Sequence, residues 1–443
     1  MNTIINLLSK KISIAPLLVF RILFGLMVAY GALWSIGKGD IQMRYLKPTF
    51  FFKYYGMEWL EFVGDTGIYF LYAVWILSAL GIILGAFYRL SIGSFFLVFT
   101  YLQALDATNY INHYYAISIL ALFLTLLPAN AALSIDAWRK PQIKQHEIPY
   151  WYIGVFQVQV ALIYTFAAIA KMNSDWLLAA MPLKIWLLQS QDFPLIGSLF
   201  KYHAVHLGMS WIGFLFDLTI AWWLWNSKTR KWAYIVVVIF HTMTGLLFNI
   251  GLFPILMIFS TIVFFSPNSQ LSVLQRLGVK LSTQKSPQAD HKLLICFFSL
   301  HFFVQVILPF RHHLLYNSNP LWSEEGYRFS WWVMLLEKEG MATFYVEDPN
   351  SERHWVVSNL EFLTPFQEKR MAIRPDHILQ YAHHLAAVYA RRYEIKDPIV
   401  RAEVFVAMNG RVSQQLIDPT VNLAAEKRSL WQKDWILPLQ DAQ

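Results

Sequence analysis

Charge is scarce in this chain. Only 14% of its 443 residues are Asp, Glu, Lys or Arg, whereas a soluble domain carries about 25%. That excludes an ordinary soluble fold. Cysteine occurs once, at Cys296, inside an apolar run. An intramolecular disulfide and a multi-cysteine metal site are therefore both impossible. There is no Walker-type or G-x-G-x-x-G phosphate loop, no G-x-S-x-G elbow and no H-E-x-x-H. No internal repeat and no low-complexity tract occurs. The formal charge of +8 does not point to nucleic acid, because the basic residues gather in short loops between apolar runs.

Hydrophobic residues make up 56% of the chain and aromatic residues 17%. Apolar runs near or above the spanning length of about 20 residues recur along the first two-thirds. The pattern predicts a polytopic α-helical membrane protein of about nine spans, residues 1–310, followed by a small α+β extracytoplasmic domain, residues 311–443. The spans are expected near residues 15–36, 66–88, 90–105, 116–133, 150–171, 203–225, two within 233–265, and 293–310. Lys10 and Lys11 precede the first run, which is long and has no small-x-small cleavage site, so it reads as a retained span. The break between the seventh and eighth spans is Asn249-Ile-Gly251-Leu-Phe-Pro254.

Basic residues choose the orientation. With the N-terminus cytoplasmic, the inner loops hold Lys10, Lys11, Arg89, Arg139, Lys140, Lys144, Lys228, Arg230, Lys231, Arg276, Lys280, Lys285 and Lys292. The outer loops hold Lys38, Arg44, Lys47, Lys53, Lys171, Lys184 and Lys201. An odd number of spans then puts the C-terminal domain outside. There, residues 370–394 pattern as an amphipathic helix, with Ile378, Tyr381, Leu385 and Val388 near one face. Residues 401–408 alternate like a strand, and Asn409-Gly410 marks a hairpin turn into a second strand.

Ionisable groups inside the membrane are the default functional candidates. Here they are Arg21, His113, Lys171, Asp217 and His241. Arg21 and Asp217 read as a structural ion pair. His113 and His241 read equally as an interfacial residue and a hydrogen-bonded core histidine. Lys171, at the end of the fifth span, either snorkels to the interface or turns inward. The inward lysine loses hydration, its pKa falls from about 10.4 towards neutrality, and it becomes a base. His203 with His206, His312 with His313, and His383 with His384 are too scattered to converge on a metal, so no metal is expected.

Several stretches together resemble the vitamin K-dependent γ-glutamyl carboxylases and their bacterial relatives, the horizontally transferred transmembrane (HTTM) group. These are Phe20-Arg21-Ile-Leu-Phe-Gly25, residues 79–91, Asn112-His113, Lys171-Met-Asn-Ser-Asp-Trp176, Phe240-His241 and Phe248-Asn-Ile-Gly-Leu-Phe253. Outside the membrane, residues 322–331, Leu379-Gln-Tyr-Ala382 and Ile417-Asp-Pro-Thr-Val421 follow in the same order. The resemblance implies a multi-pass enzyme of the cell inner membrane, with its C-terminal domain periplasmic or lumenal. It implies reduced vitamin K or menaquinol drawn from the bilayer lipid, oxygen and carbon dioxide as co-substrates, and a glutamate-containing protein or peptide as acceptor. In that family an amine deprotonates the quinol, oxygen adds, and the strong base so formed takes a γ-hydrogen from glutamate. Carbon dioxide then adds, giving γ-carboxyglutamate, and the quinol ends as its epoxide.

By this resemblance Lys171 is the base and His113 hydrogen-bonds or transfers a proton beside it. His241, Asn112 and Tyr164 contact the quinol. The family position before the lysine can be a second lysine; here it is Ala170. The family disulfide cannot form, and an additional C-terminal lumenal portion of the animal enzyme is lacking, which leaves acceptor docking open. Two other readings remain: a quinol epoxidase without peptide carboxylation, and a non-enzymatic membrane scaffold or transporter.

Overall fold

The computed structural model describes residues 9–279 and 291–440. A helix stands at each place where an apolar run predicts a span. These are α1 (Ala15–Gly37), α2 (Gly64–Leu84), α3 (Tyr88–Leu105), α4 (Asn112–Leu126), α5 (Trp151–Ala170), α6 (His203–Trp225), α7 (Arg230–Leu247) and α8 (Phe253–Ser260). After α9 (Pro267–Arg276) comes α10 (Lys292–Ile307). Among the described residues, five helices are long and apolar enough to cross a membrane alone. A sixth span exists only if α8, carried on to Phe264, and α9 count as one pair bent by 106°. The difference from about nine has a physical reason. Helix α4 has 15 residues, about 22 Å at 1.5 Å each, against a hydrocarbon core of about 30 Å. Helices α3 and α7 carry Arg89, and Arg230 with Lys231, in their first turns. The fold class is the predicted one, a polytopic helical membrane protein with a small sheet region near its C-terminus.

Local sequence sets the helix ends. Pro16 starts α1 in the first turn, where its missing N–H costs nothing. Gly85 ends α2 in the left-handed region at φ 61°. A Cβ there would lie 2.5 Å from Arg21 Nη1 and 2.3 Å from Ser134 Cβ, so glycine also permits the close approach. Ser266 caps α9, and Pro267 opens it after the bend. Helix α1 is buried along much of its length in the bundle core.

The two ends of the bundle differ. At one end, the strands β1 (Lys11–Ser13) and β2 (Glu147–Pro149) pair antiparallel. The Gly85 turn and the 128–146 segment join them there. Arg21 belongs to this end. It is fully buried and donates to the carbonyls of Ala129 (3.0 Å) and Leu133 (2.5 Å). The predicted Arg21–Asp217 ion pair does not form, because Asp217 pairs with Lys171 and Arg21 is taken up by backbone carbonyls. Lys280 and Lys285, counted with the inner loops, lie outside the described residues.

At the other end sits a four-stranded antiparallel sheet of order β4-β3-β5-β6. Its strands are β3 (Lys338–Glu347), β4 (His354–Val357), β5 (Ile399–Met408) and β6 (Gln414–Gln415). The helix expected over residues 370–394 is in fact two, α11 (Pro365–Met371) and α12 (Pro375–Tyr393). Pro375 disfavours helix at Arg374, and a Thr364–Gln367 capping box starts α11. Ile378, Tyr381 and Leu385 are fully buried against the sheet. Asn409 and Gly410 make the turn, both left-handed at φ 49° and 80°. The Arg411 N–H closes it on the Met408 carbonyl at 3.0 Å. The returning strand is only two residues long, however. The main partner of β5 is β3, paired along its whole length from Lys338↔Met408 to Glu347↔Ile399.

This layer shares its core with the first outer loop. Phe52 is fully buried among its side chains. Gln367 donates to the Phe50 carbonyl and to Asp106, each at 2.7 Å. The aromatic loop around residues 50–55 is therefore a docking segment as much as an interfacial belt.

Candidate functional site

The last turns of α5 place Tyr164, Ala167 and Lys171 on one face, at spacings of three and four residues. Opposite them, α6 presents Gly213 and Asp217, and α7 presents Phe240, His241 and Thr244. Together they line a cavity of about 90 Å³. Lys171 does not snorkel: it is 5% exposed. Its Nζ donates to Asp217 Oδ2 at 2.8 Å and more weakly, at 3.4 Å, to the carbonyls of Ala167 and Val333. Trp176 forms one wall, with its ring centroid 5.1 Å from Nζ.

The run from Lys171 to Trp176 divides its labour. Asn173 Oδ1 accepts from the Trp176 N–H at 2.9 Å and so caps the next short helix. Trp176 Nε1 donates to the Ser210 carbonyl at 3.0 Å, which fixes the indole against α6. Asp175 points away from the cavity and takes both arms of Arg411 at 2.7 Å. Burial pushes its carboxyl up, but Arg411 and the Asn409 amide outweigh that and hold it below the usual carboxylate range.

His241 and Tyr164 form a second buried pair, Nε2 to hydroxyl, at 2.8 Å. The other ring nitrogen, Nδ1, is buried with no hydrogen-bond partner among the described residues. Such an orphan costs about 1–3 kcal/mol.

His113 and Asn112 open α4 and lie beside this cavity rather than in it. The Phe253 ring stands between the two histidines, with centroids 6.1 Å from His113 and 5.7 Å from His241. Gly251, left-handed at φ 60°, brings the α7–α8 turn up to His113. The His113 imidazole makes no hydrogen bond among the described residues. Asn112 Nδ2 donates to the Trp332 carbonyl at 2.6 Å. The Asn112 amide oxygen accepts from Tyr110 at 2.9 Å, and the Tyr110 hydroxyl accepts from the Phe329 N–H at 2.7 Å.

Residues 329–334 therefore roof the site, held by Asn112 on one side and Lys171 on the other. Phe329, Trp331 and Met334 all sit in the left-handed region, at φ 65°, 60° and 56°. For side-chain-bearing residues that conformation costs about 1–3 kcal/mol each. Strain gathered at a roof of this kind marks a segment held in place by the packing around it.

Of the residues predicted from sequence, Lys171, His241 and Tyr164 share one cavity. His113 and Asn112 adjoin it through Phe253 and the roof. Lys171 and His113 share no hydrogen bond. Three features were missed: Asp217 as the lysine's partner, Trp176 as a wall, and the roof. Asp217 was visible as an intramembrane acid, but it stands 14 residues from the start of α6 and 8 from its end, so counting turns would have set it nearer the depth of Arg21, 6 residues into α1. The roof left no signal, because it contributes backbone carbonyls.

A family model described as the HTTM domain matches residues 9–268. A second, described as the lumenal domain of vitamin K-dependent gamma-carboxylase, matches residues 290–442. No solved structure matches the chain.

Proposed function

The chain belongs to the vitamin K-dependent γ-carboxylase family, and on that premise we propose that it couples epoxidation of reduced vitamin K, or menaquinol, to carboxylation of peptidyl glutamate. Oxygen and carbon dioxide are the co-substrates and γ-carboxyglutamate is the product. The observation that carries this reading is the Lys171–Asp217 pair, 2.8 Å apart on the wall of an apolar cavity. The residues present suit a two-ring quinol. The walls are aromatic and aliphatic, and both polar pairs are among the lining residues.

Bound reduced vitamin K supplies, with oxygen, the strong base that removes the γ-hydrogen of glutamate. The protein's part is proton handling, orientation and exclusion of water. Lys171 Nζ and Asp217 Oδ2 act as one acceptor. Together they are net neutral wherever their shared proton lies, and one further proton from a quinol hydroxyl takes the pair to a single positive charge. This differs from a lone neutral amine, and it removes the need for a second lysine at Ala170. Tyr164 and His241 orient the ring through their hydroxyl and imidazole. His113, across Phe253 with a free imidazole, is the second proton carrier.

Beside the cavity a hollow of about 330 Å³ shares Phe248, Ile250 and Met334 with it. It is the approach for a glutamyl side chain from the extracytoplasmic face. The N-terminus is then cytoplasmic, in the inner membrane. The test uses purified protein in detergent with reduced vitamin K, oxygen, labelled bicarbonate and a short glutamate peptide. Label in the peptide that vanishes in Lys171→Ala supports the proposal. Epoxide without label reduces the activity to quinol epoxidation. Neither product from folded protein removes the enzymatic reading altogether.

A further inference from the structure

Away from Lys171, a larger chamber of about 380 Å³ opens between α3, α4 and α10. Helix α10 packs on α5 rather than on α3, so a cleft remains. Its floor is α4, through Ser118 and Leu122. On α3, Phe96 to Gln103 line about 10 Å of its depth at 1.5 Å per residue, most of one leaflet of a hydrocarbon core about 30 Å thick. The lining is almost wholly apolar. His301 and Gln305 face it, but their polar atoms are engaged by Gln159 at 2.8 Å and Tyr115 at 2.5 Å.

Above the chamber lies a second hollow of about 350 Å³, at the junction with the C-terminal layer. The two share Tyr54, Met57 and Phe329, so they adjoin. The character changes across that boundary. Four cationic side chains line the upper hollow: Arg311, Arg328, Arg428 and Lys433. Three are matched by acids: Arg328 by Asp376 at 2.6 Å, Arg428 by Glu58 at 2.7 Å and Lys433 by Glu325 at 2.9 Å. Arg311 has no carboxylate partner among the described residues. It donates to the Leu308 carbonyl (3.0 Å), the Ser330 hydroxyl (3.2 Å) and the Arg328 carbonyl. Near the mouth, Gln103 Oε1 is buried with no donor among the described residues.

An apolar slot most of a leaflet deep and an arginine without a carboxylate partner at its mouth match one chemistry. We propose that this slot binds an anionic glycerophospholipid of the outer leaflet, its phosphate at Arg311 and an acyl chain between α3 and α10. The face of α10 carrying His301 and Gln305, continued by Leu308 and Arg311 in the turns that follow it, is the wall along which the lipid lies. Charge complementarity selects the occupant: a chain without an anion would leave Arg311 unmatched, and an anion without a chain would leave the chamber empty. The site lies apart from the Lys171 cavity and shares no lining residue with it.

The test is native mass spectrometry of the full chain in a mild detergent. Phosphatidylglycerol, phosphatidylcholine and inorganic phosphate are added separately. One phosphatidylglycerol is expected to be retained at least tenfold more tightly than phosphatidylcholine, with no retention of phosphate. Arg311→Gln is expected to abolish that preference while keeping chain binding. Ala104→Trp and Leu122→Trp, each filling the slot at a different depth, are expected to abolish retention of both lipids. Gel filtration and circular dichroism identify the variants that fold, and the folded ones decide. Equal retention of the two lipids by the parent protein overturns the proposal. So does retention unchanged in a folded slot-filling variant, or an isoprenoid quinone held there in preference to phospholipid.

Discussion

Asp217 Oδ2 lies 2.8 Å from Lys171 Nζ, and both side chains are buried on the same cavity wall. Burying a charge pair gains little stability, since the desolvation of both ions offsets their attraction. Removing one partner is costly, by about 3–5 kcal/mol, because the other is left uncompensated. A pair kept at that cost beside a cavity is better explained by proton transfer than by support of the fold.

Lys171→Ala is expected to lower epoxide and γ-carboxyglutamate formation together, by about 10²–10⁴-fold, the usual contribution of a general base. Simultaneous assay of both products checks this. Retention of epoxide formation at the parental rate would take Lys171 out of quinol activation.

Asp217→Asn keeps the shape of the partner and removes its capacity to share a proton. Turnover is expected to fall at least tenfold, with an altered pH–rate profile and an unchanged KM for the peptide. Asp217→Glu should recover part of the loss. If Asp217 were only structural, the asparagine variant would lower the yield of folded protein and leave the pH profile of the remainder where it was.

His113→Ala is expected to lower epoxide yield or to separate it from carboxylation, so that the ratio of epoxide to γ-carboxyglutamate rises above the parental value. The free imidazole across Phe253 from His241 motivates this. A parental ratio at parental speed would leave His113 with packing alone.

Tyr164→Phe deletes the partner of the His241 Nε2. An unsatisfied buried group costs about 1–3 kcal/mol, and here that cost should appear as a raised KM for the quinol with kcat little changed. Quinol titration at saturating peptide separates the two. A fall in kcat alone would count against an orienting role.

The Asp175–Arg411 fork gives a dependence on pH. Asp175 is held below its unfolded value of about 3.9. A depressed carboxylate contributes its stability above the unfolded pKa and loses it as pH falls through the folded one. The thermal midpoint should therefore drop below about pH 4 more steeply in the parent than in Arg411→Gln, the two curves converging in acid. Parallel curves down to pH 2 would mean that the fork contributes nothing to docking.

The apolar runs and basic loops made the helical bundle legible, since burial in lipid demands long hydrophobic stretches. Lys171 was legible because an amine at a span end has so few places to go. The Asp217 partnership was not, because pattern gives helices without their mutual depth. Nor was the sheet: β3 alternates only weakly, and 51 residues of chain intervene between it and β5, beyond any local signal. The turn at Asn409-Gly410 was correctly marked, yet its chief role lies elsewhere. It presents Asn409 and Arg411 to Asp175, four residues after the lysine.

The roof of the cavity comes from late in the chain. Val333 is 162 positions from Lys171, and Trp332 is 220 from Asn112. During synthesis the helical bundle emerges first, and Lys171 waits uncovered until the ribosome has delivered the capping segment. Proteolysis between the two regions would unroof the amine without touching any residue of the bundle. A lineage that discarded the C-terminal layer would have to find another cover for its lysine or give up the chemistry.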